Sequence, residues 1–195
     1  AVAVQHHHAH VASCMADNGL DGEVIGVAFD GTGYSTDGTL WGGEVMVAGY
    51  AAFRRAFHLR PVRLPGGEAA IRRPARMGYA YLLDAFGAEE AEAPARDLLP
   101  GLSEAERQAV AWQVRTGTNS PLSGGAGRLF DAVSAILGIC DTADYEGQAA
   151  VELEMAAGPL QIADCRSQIG GPRGGDAEPY PFEMGGGILD LRPAI

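Results

Sequence analysis

His6, His7, His8 and His10 fall within the stretch Val4-Gln5-His6-His7-His8-Ala9-His10 and make up most of the five histidines in the chain. Imidazole is the commonest protein metal ligand and the one side chain that ordinarily titrates near neutral pH. A helix over residues 6–16 places His6 and His10 four apart, on one face and one turn from each other. Two nitrogens held that way can grip a single Zn or Fe ion. Asp30 offers a third ligand, because it ends an apolar run just before Gly31-Thr32-Gly33, where a carboxylate can project beside exposed backbone N–H groups. Two His and one Asp make a three-ligand site with open positions for water or substrate. The plainer readings are that the histidines are polar residues opening a helix and that Asp30 starts a turn.

Two glycine-rich stretches could meet an anion. The hairpin Asp30-Gly31-Thr32-Gly33-Tyr34-Ser35-Thr36-Asp37-Gly38 lets a backbone approach a phosphate and adds hydroxyls beside it. The loop Asn119 to Gly127 enters a helix and offers unpaired N–H groups and a favourable dipole. Asp131 lies away from the Leu129/Val133/Ile136 stripe of that helix and could accept hydrogen bonds from ribose hydroxyls. From spacing alone an exposed Arg128–Asp131 pair is the better reading, worth only a few tenths of a kcal/mol. Glu44 and Glu146 are candidate site carboxylates, although an isolated Glu is usually a solvated one. No residue is assigned a direct catalytic role. There is no GxSxG elbow for a Ser-His-Asp triad, His58 lies in a strand pattern, and Cys14 reads as packing.

The elements that must position these groups follow from periodicity. Ala1 to Val4 reads as a short strand, and His6 to about Ala16 as a helix closed by Asn18-Gly19. Glu23 to Asp30 is a β-rich run. Gly31, Gly33 and Asp37-Gly38 mark a tight hairpin into a second strand over Leu40 to Tyr50, and Phe53 to Leu64 is a third. Three such strands form an antiparallel meander. Helical spacing begins near Arg72, carried by Met77, Tyr81 and Leu82. Glu89 to Pro94 reads as an acidic connector, and the capping-box form at Ser103-Glu104-Ala105-Glu106 opens a helix to about Arg115. A further helix carries Leu129, Val133, Ile136, Leu137 and Cys140 on one face. Tyr145-Glu146-Gly147 leads into another helix that runs to about Ala157. Beyond Gly158 the chain is glycine-rich and polar, with one late strand at Gly187 to Leu191.

Composition removes several classes of function. The 195 residues suit one sizeable core or two small lobes. No stretch approaches the ~20 apolar residues of a membrane span, and no secretory signal is visible. The net charge of −11 argues against a nucleic-acid surface. Every positive charge is Arg, which excludes a lysine Schiff base or a P-loop lysine. Cys14, Cys140 and Cys165 are far apart and odd in number, as expected in a reducing compartment such as the cytoplasm. The chain begins inside an apolar run without Met, which reads as the cut end of a longer protein.

Taken in order, VQHHHAH at 4–10, AFDGTGYSTDGTLWGGE at 28–44, LPGGEAA at 64–70, NSPLSGGAGRLFDAVSAILG at 119–138 and YEGQAAVELE at 145–154 resemble one family. It is the Kae1-like domain of HypF-type carbamoyltransferases of [NiFe]-hydrogenase maturation. The resemblance covers most of residues 4–157, and the tail carries little of it. It implies an α/β fold of the actin, Hsp70 and sugar-kinase superfamily, here a segment with an antiparallel β-meander and a helical bundle. Within a partial Kae1-like domain over 1–195, residues 1–20 would end a first lobe. Residues 22–68 would form the meander, 69–158 the helical region and 159–195 a loop-rich tail.

The resemblance also assigns roles. The paired metal histidines fall on His6 and His10 and the metal-binding Asp on Asp30, with Zn or Fe as the divalent metal. The Asp that contacts the nucleotide ribose falls on Asp131, with Gly31, Gly33, Gly127 and Glu146 as further nucleotide contacts. ATP and carbamoyl phosphate would be consumed in the full-length parent. This domain would use the resulting carbamoyl-adenylate to carbamoylate the C-terminal Cys of a HypE-type partner. The family's acylphosphatase-like, zinc-finger and YrdC-like regions have no counterpart here, nor has the segment that completes the metal site, so the segment alone is expected to be inactive. A small-molecule O-carbamoyltransferase and a non-catalytic metal- or nucleotide-binding module are the competing readings. The acidic, Lys-free surface disfavours a tRNA-modifying role.

Overall fold

The computed structural model describes residues 3–158 and 181–195. Helix α1 (His6–Asp17) begins where the Gln5 side chain accepts a hydrogen bond from the His8 N–H at 2.8 Å. An N-cap oxygen of this kind satisfies one of the donors that a helix start leaves free. The helix ends at Asn18, ahead of Gly19, as the sequence predicts. The strand expected before it does not form over residues 3–4, and residues 1–2 lie outside the described part. His7, His8, Val11 and Met15 face inward, so the apolar spacing i, i+4, i+8 docks α1 on the sheet.

Strands β1 (Val24–Gly33), β2 (Trp41–Ala48) and β3 (Phe53–Leu59) form the expected antiparallel meander. The side of β1 facing α1 carries Gly26 and Ala28, both buried. A Cβ on Gly26 would lie 2.6 Å from a Val11 methyl, so the absent side chain lets α1 sit directly on the strand. Val11, Met15, Met46 and Ala48 make the small core beneath. The opposite face of β1 exposes Ile25, Val27 and Phe29.

The connection from β1 to β2 is longer than the tight turn the glycines predict. It spans residues 34–40 and is organised by Asp37, whose carboxylate accepts from Thr39 N, Thr39 Oγ1, Ser35 Oγ and Trp41 Nε1. The third strand is also shorter than expected. Pro61 supplies no N–H to a ladder, and the chain changes partners there: β4 (Val62–Arg63) pairs with β5 (Leu122–Ser123) in a separate two-stranded sheet.

Helices α2 (Glu68–Arg72), α3 (Pro74–Phe86), α4 (Glu92–Leu98), α5 (Glu104–Thr116), α6 (Ala126–Ile136) and α7 (Gln148–Ala157) make up the helical half. The acidic connector is in fact helical from Glu92. Ala91, Ala95 and Leu99 recur every four residues and are fully buried, while Glu92 accepts from Tyr79 and Arg107. The capping box at Ser103 and Glu106 forms as read, and Gly117 closes α5 in the left-handed region. Helix α3 is the hub, packing Tyr79, Leu82 and Leu83 against Leu99, Leu102, Val110 and Ala135.

The late strand appears as β7 (Ile188–Asp190), accompanied by β6 (Glu183–Gly185), which the sequence did not suggest. Gly186 and Gly187 join them with positive φ at both positions, as a two-residue type I′ turn requires. β7 then lies parallel to β3 and widens the sheet to the order β1-β2-β3-β7-β6. The glycine cluster at 170–175 and Cys165 lie outside the described residues.

Candidate metal centre

The end of β1 and the first turn of α1 bring three donors to one point. His6 Nε2 lies 3.0 Å from Asp30 Oδ2 and 3.1 Å from His10 Nε2. Ligand atoms of His6, His10 and Asp30 all fall within 4.8 Å of one another. Four-residue spacing stacks the two imidazoles on one helical face. Asp30 is aimed by its own strand end, since the Gly31 N–H donates to its Oδ1 at 2.6 Å, leaving Oδ2 for the histidines. The two short distances from His6 Nε2, to His10 and to Asp30, are close to the edges of a tetrahedral site with bonds of roughly 2.0–2.1 Å. The donor set therefore fits a divalent cation, and N/O donors suit either Zn or Fe.

The middle histidines have other work. His8 is buried, and its Nε2 donates to the Gly49 carbonyl at 2.7 Å while its ring packs on Phe53. His7 is completely buried. Its Nδ1 lies 3.3 Å from Gln5 Nε2, and its Nε2 is 3.4 Å from Asp30 Oδ2 with no hydrogen bond formed. Burial is the main influence that pushes its pKa down, with the Asp30 and Glu44 carboxylates acting the other way. The ring is stacked against Trp41 at 6.3 Å, and the Arg55 guanidinium covers the indole at 3.9 Å from its centroid.

Arg55 also holds Glu44, which is fully buried, and reaches Asp37 at 3.2 Å. Glu44 is thus neither a ligand of the trio nor a solvated residue but the internal counter-ion of the platform beneath His7. Sequence reasoning set His7 aside from the metal pair, used Trp41 only as part of a family motif and did not single out Arg55. The available signal was the LWGGE run, where an aromatic precedes two glycines and an acid in a strand.

The glycines serve close backbone contact. A Cβ on Gly33 would meet the His7 ring, 2.7 Å from Nε2. One on Gly125 would run into the Gly31 carbonyl oxygen, and one on Gly127 would lie 2.8 Å from Gly31 Cα. The loop into α6 therefore presses directly on the hairpin beside Asp30. Arg128 follows it inward, within 3.3 Å of where a Gly31 Cβ would stand.

Arg128 and Asp131 are not the surface pair that spacing favours, since both side chains are 5 % exposed. Their charged atoms are 3.1 Å apart but poorly aligned, so Arg128 Nη1 and Asp131 Oδ2 lack a well-formed hydrogen bond. Burial pushes the Asp131 carboxyl up to about 6, with Arg128 opposing. The inward face of α6 is thus Arg128, Asp131, Ala132 and Ala135, while Leu129, Val133 and Ile136 are only half buried. Gly31, Gly127 and Asp131 form one neighbourhood around Arg128. Glu146 lies apart, exposed on a cleft with Glu68, Arg72 and Tyr145.

A cleft of about 450 Å³ runs between α1 and β1, lined by Val11, Cys14, Ile25 and Val27, with His10 and Asp30 on its wall. Cys14 is exposed there, and Cys140 is buried with its thiol pushed up by desolvation. No helix among the described residues is long and apolar enough to cross a membrane.

Comparison with known proteins shows the family to which the chain belongs. Residues 26–195 match the family described as "Carbamoyltransferase, Kae1-like Domain, second subdomain". Carbamoyltransferase HypF of Rhizobium leguminosarum bv. viciae is 42% identical over 194 residues, covering 100% of this chain and 23% of that protein. HypF2 of Cupriavidus necator is 44% identical over 212 residues, covering 100% of this chain and 25% of that protein. Among solved structures, full-length HypF in its phosphate- and nucleotide-bound form superposes with a TM-score of 0.79 at 34% identity, over 98% of this chain and 23% of that one. T. kodakarensis HypF gives 0.80 at 32% identity, over 97% and 24%. The chain spans about a quarter of the length of these relatives.

Proposed function

The chain belongs to the second subdomain of the Kae1-like carbamoyltransferase domain, and on that premise we propose that it contributes the metal centre to a longer carbamoyl-transferring protein. The donor would be carbamoyl-adenylate and the acceptor the C-terminal Cys thiol of a HypE-type partner. The observation that carries this reading is the convergence of His6, His10 and Asp30 at the end of β1, beside the glycine contact between hairpin and α6.

His6 and His10 would hold a Zn or Fe ion from one face of α1, with Asp30 held in place by the Gly31 N–H. Such a cation supplies charge neutralisation for a leaving phosphate and polarisation of an acyl oxygen. The described residues offer no activated nucleophile. Cys140 is buried with a raised pKa, and Cys14 has no base or cation hydrogen-bonded to its sulfur among the described residues. An acceptor thiolate from the partner meets that need. Its sulfur bonds to the carbamoyl carbon as the carbon–oxygen bond to AMP breaks, AMP leaves with the electron pair, and a thiocarboxamide results. Of the nucleotide contacts, the geometry supports Gly31, Gly127 and Asp131 as one site. Gly33 is taken up by the His7 ring, and Glu146 faces a different cleft.

The test is carbamoyl transfer by the full-length protein, offered a HypE-type C-terminal peptide ending in Cys or a sugar alcohol. Transfer to the thiol alone is expected. Transfer to the alcohol alone would replace the reading with small-molecule O-carbamoylation.

A further inference from the structure

His7 sits between the two proposed metal-binding histidines in sequence but points the opposite way, into the protein. Its surroundings settle which of its nitrogens carries a proton. Gln5 Oε1 accepts from the His8 backbone N–H at 2.8 Å, and Gln5 Nε2 donates to the Tyr34 carbonyl at 3.1 Å. Backbone groups have only one role each, so the Gln5 amide has only one orientation. It therefore presents an N–H to His7 Nδ1, 3.3 Å away, which must accept. In a neutral ring the proton is then on Nε2. That nitrogen is buried, has no formed hydrogen bond, and faces Asp30 Oδ2 at 3.4 Å.

We propose that His7 is a positioning residue for the metal centre, presenting its Nε2–H to the Asp30 carboxylate and so fixing the carboxylate's direction toward His6 and His10. The inference rests on the metal reading of the trio. It accounts for three features at once: the buried histidine without a partner on Nε2, the Gln5 amide that sets its tautomer, and the missing side chain at Gly33 where the ring lies. It also gives the Trp41–Arg55–Glu44 stack a purpose, as the platform that holds the ring. Partners that orient a metal-binding carboxylate typically change metal affinity by about 10–100-fold when removed.

The experiment is zinc affinity by chelator competition, with the Co(II) d–d spectrum recorded in parallel, in the full-length protein. Binding at this site is read as the increment over His6→Ala/His10→Ala. His7→Phe keeps a ring over Trp41 and Gly33 but removes the N–H, whereas His7→Gln retains a terminal N–H donor. A loss of about 10-fold or more in His7→Phe, an altered Co(II) spectrum and substantial recovery in His7→Gln are expected, with metal-free Tm compared across all three. Two results would overturn the role of His7 while leaving the metal centre intact: His7→Phe within twofold of wild type, or His7→Gln as weak as His7→Phe at equal Tm. No zinc increment over the double variant in the unaltered protein would overturn both readings together.

Discussion

His6 and His10 turn their Nε2 atoms toward each other at 3.1 Å across one turn of α1, and Asp30 Oδ2 closes the group at 3.0 Å from His6. Atoms so close can share protons as hydrogen bonds or, as we propose, hold a cation between them. The backbone around them is arranged to hold this geometry, from the Gln5 cap on α1 to the Gly31 N–H on Asp30.

Asp30→Asn separates charge from shape. Its amide oxygen can still accept from Gly31, so the strand end keeps its form, but the ligand charge is gone. Metal affinity is expected to fall at least about 10-fold, while stability to denaturant changes by less than about 1 kcal/mol. Competition titration and urea unfolding would measure the two separately.

Glu44→Ala tests the buried platform. Glu44 is fully buried against Arg55, which is itself partly exposed and still pairs with Asp37, so removing the carboxylate is expected to cost about 1–3 kcal/mol. A drop in Tm is expected, together with weaker metal binding as the Trp41 and His7 rings lose their support. Thermal unfolding with and without zinc checks both effects.

Asp131 makes stability depend on acidity. Its carboxyl is raised from 3.8 to about 6 in the folded chain, chiefly by burial. The folded state therefore holds this proton more tightly than the unfolded one. The associated stabilisation is fully present below pH 3.8 and is lost as pH rises through about 6. The span is about 3 kcal/mol at most. Urea midpoints measured from pH 4 to 7 should show this slope, and Asp131→Asn should flatten it.

Gly125→Ala probes the contact of α6 with the hairpin. The added Cβ would strike the Gly31 carbonyl oxygen, a backbone atom that cannot swing aside. Overpacking of this kind costs about 1–3 kcal/mol. Because Gly31 anchors Asp30, metal affinity should fall with it. Gly138→Ala, where nothing lies within 4 Å but φ is +69°, serves as a control that loses stability through backbone strain alone and keeps its metal.

Local signals carried much of this into the sequence. The meander, the capping box at Ser103 and the His6/His10 spacing are written in patterns of two to four residues, and they recur in the fold nearly as read. What stayed hidden depends on distant partners. The change of pairing at Pro61 needs β5, sixty residues away, and the helix over Glu92–Leu98 owes its place to Tyr79 and Arg107. Likewise Arg128 and Asp131 look like a surface pair in a sequence, because the packing of α6 on α3 and the approach of Gly31 to Gly127, which turn them inward, come from distant parts of the chain. His7 was obscured by its neighbours: four similar residues in five positions do not say which of them face the core.

The most direct test is zinc stoichiometry by equilibrium dialysis of the full-length protein, comparing the unaltered chain with His6→Ala/His10→Ala. One further equivalent of zinc in the unaltered protein, absent from the variant at matched folding, is the expected result. Equal zinc in both would contradict a metal centre at His6, His10 and Asp30.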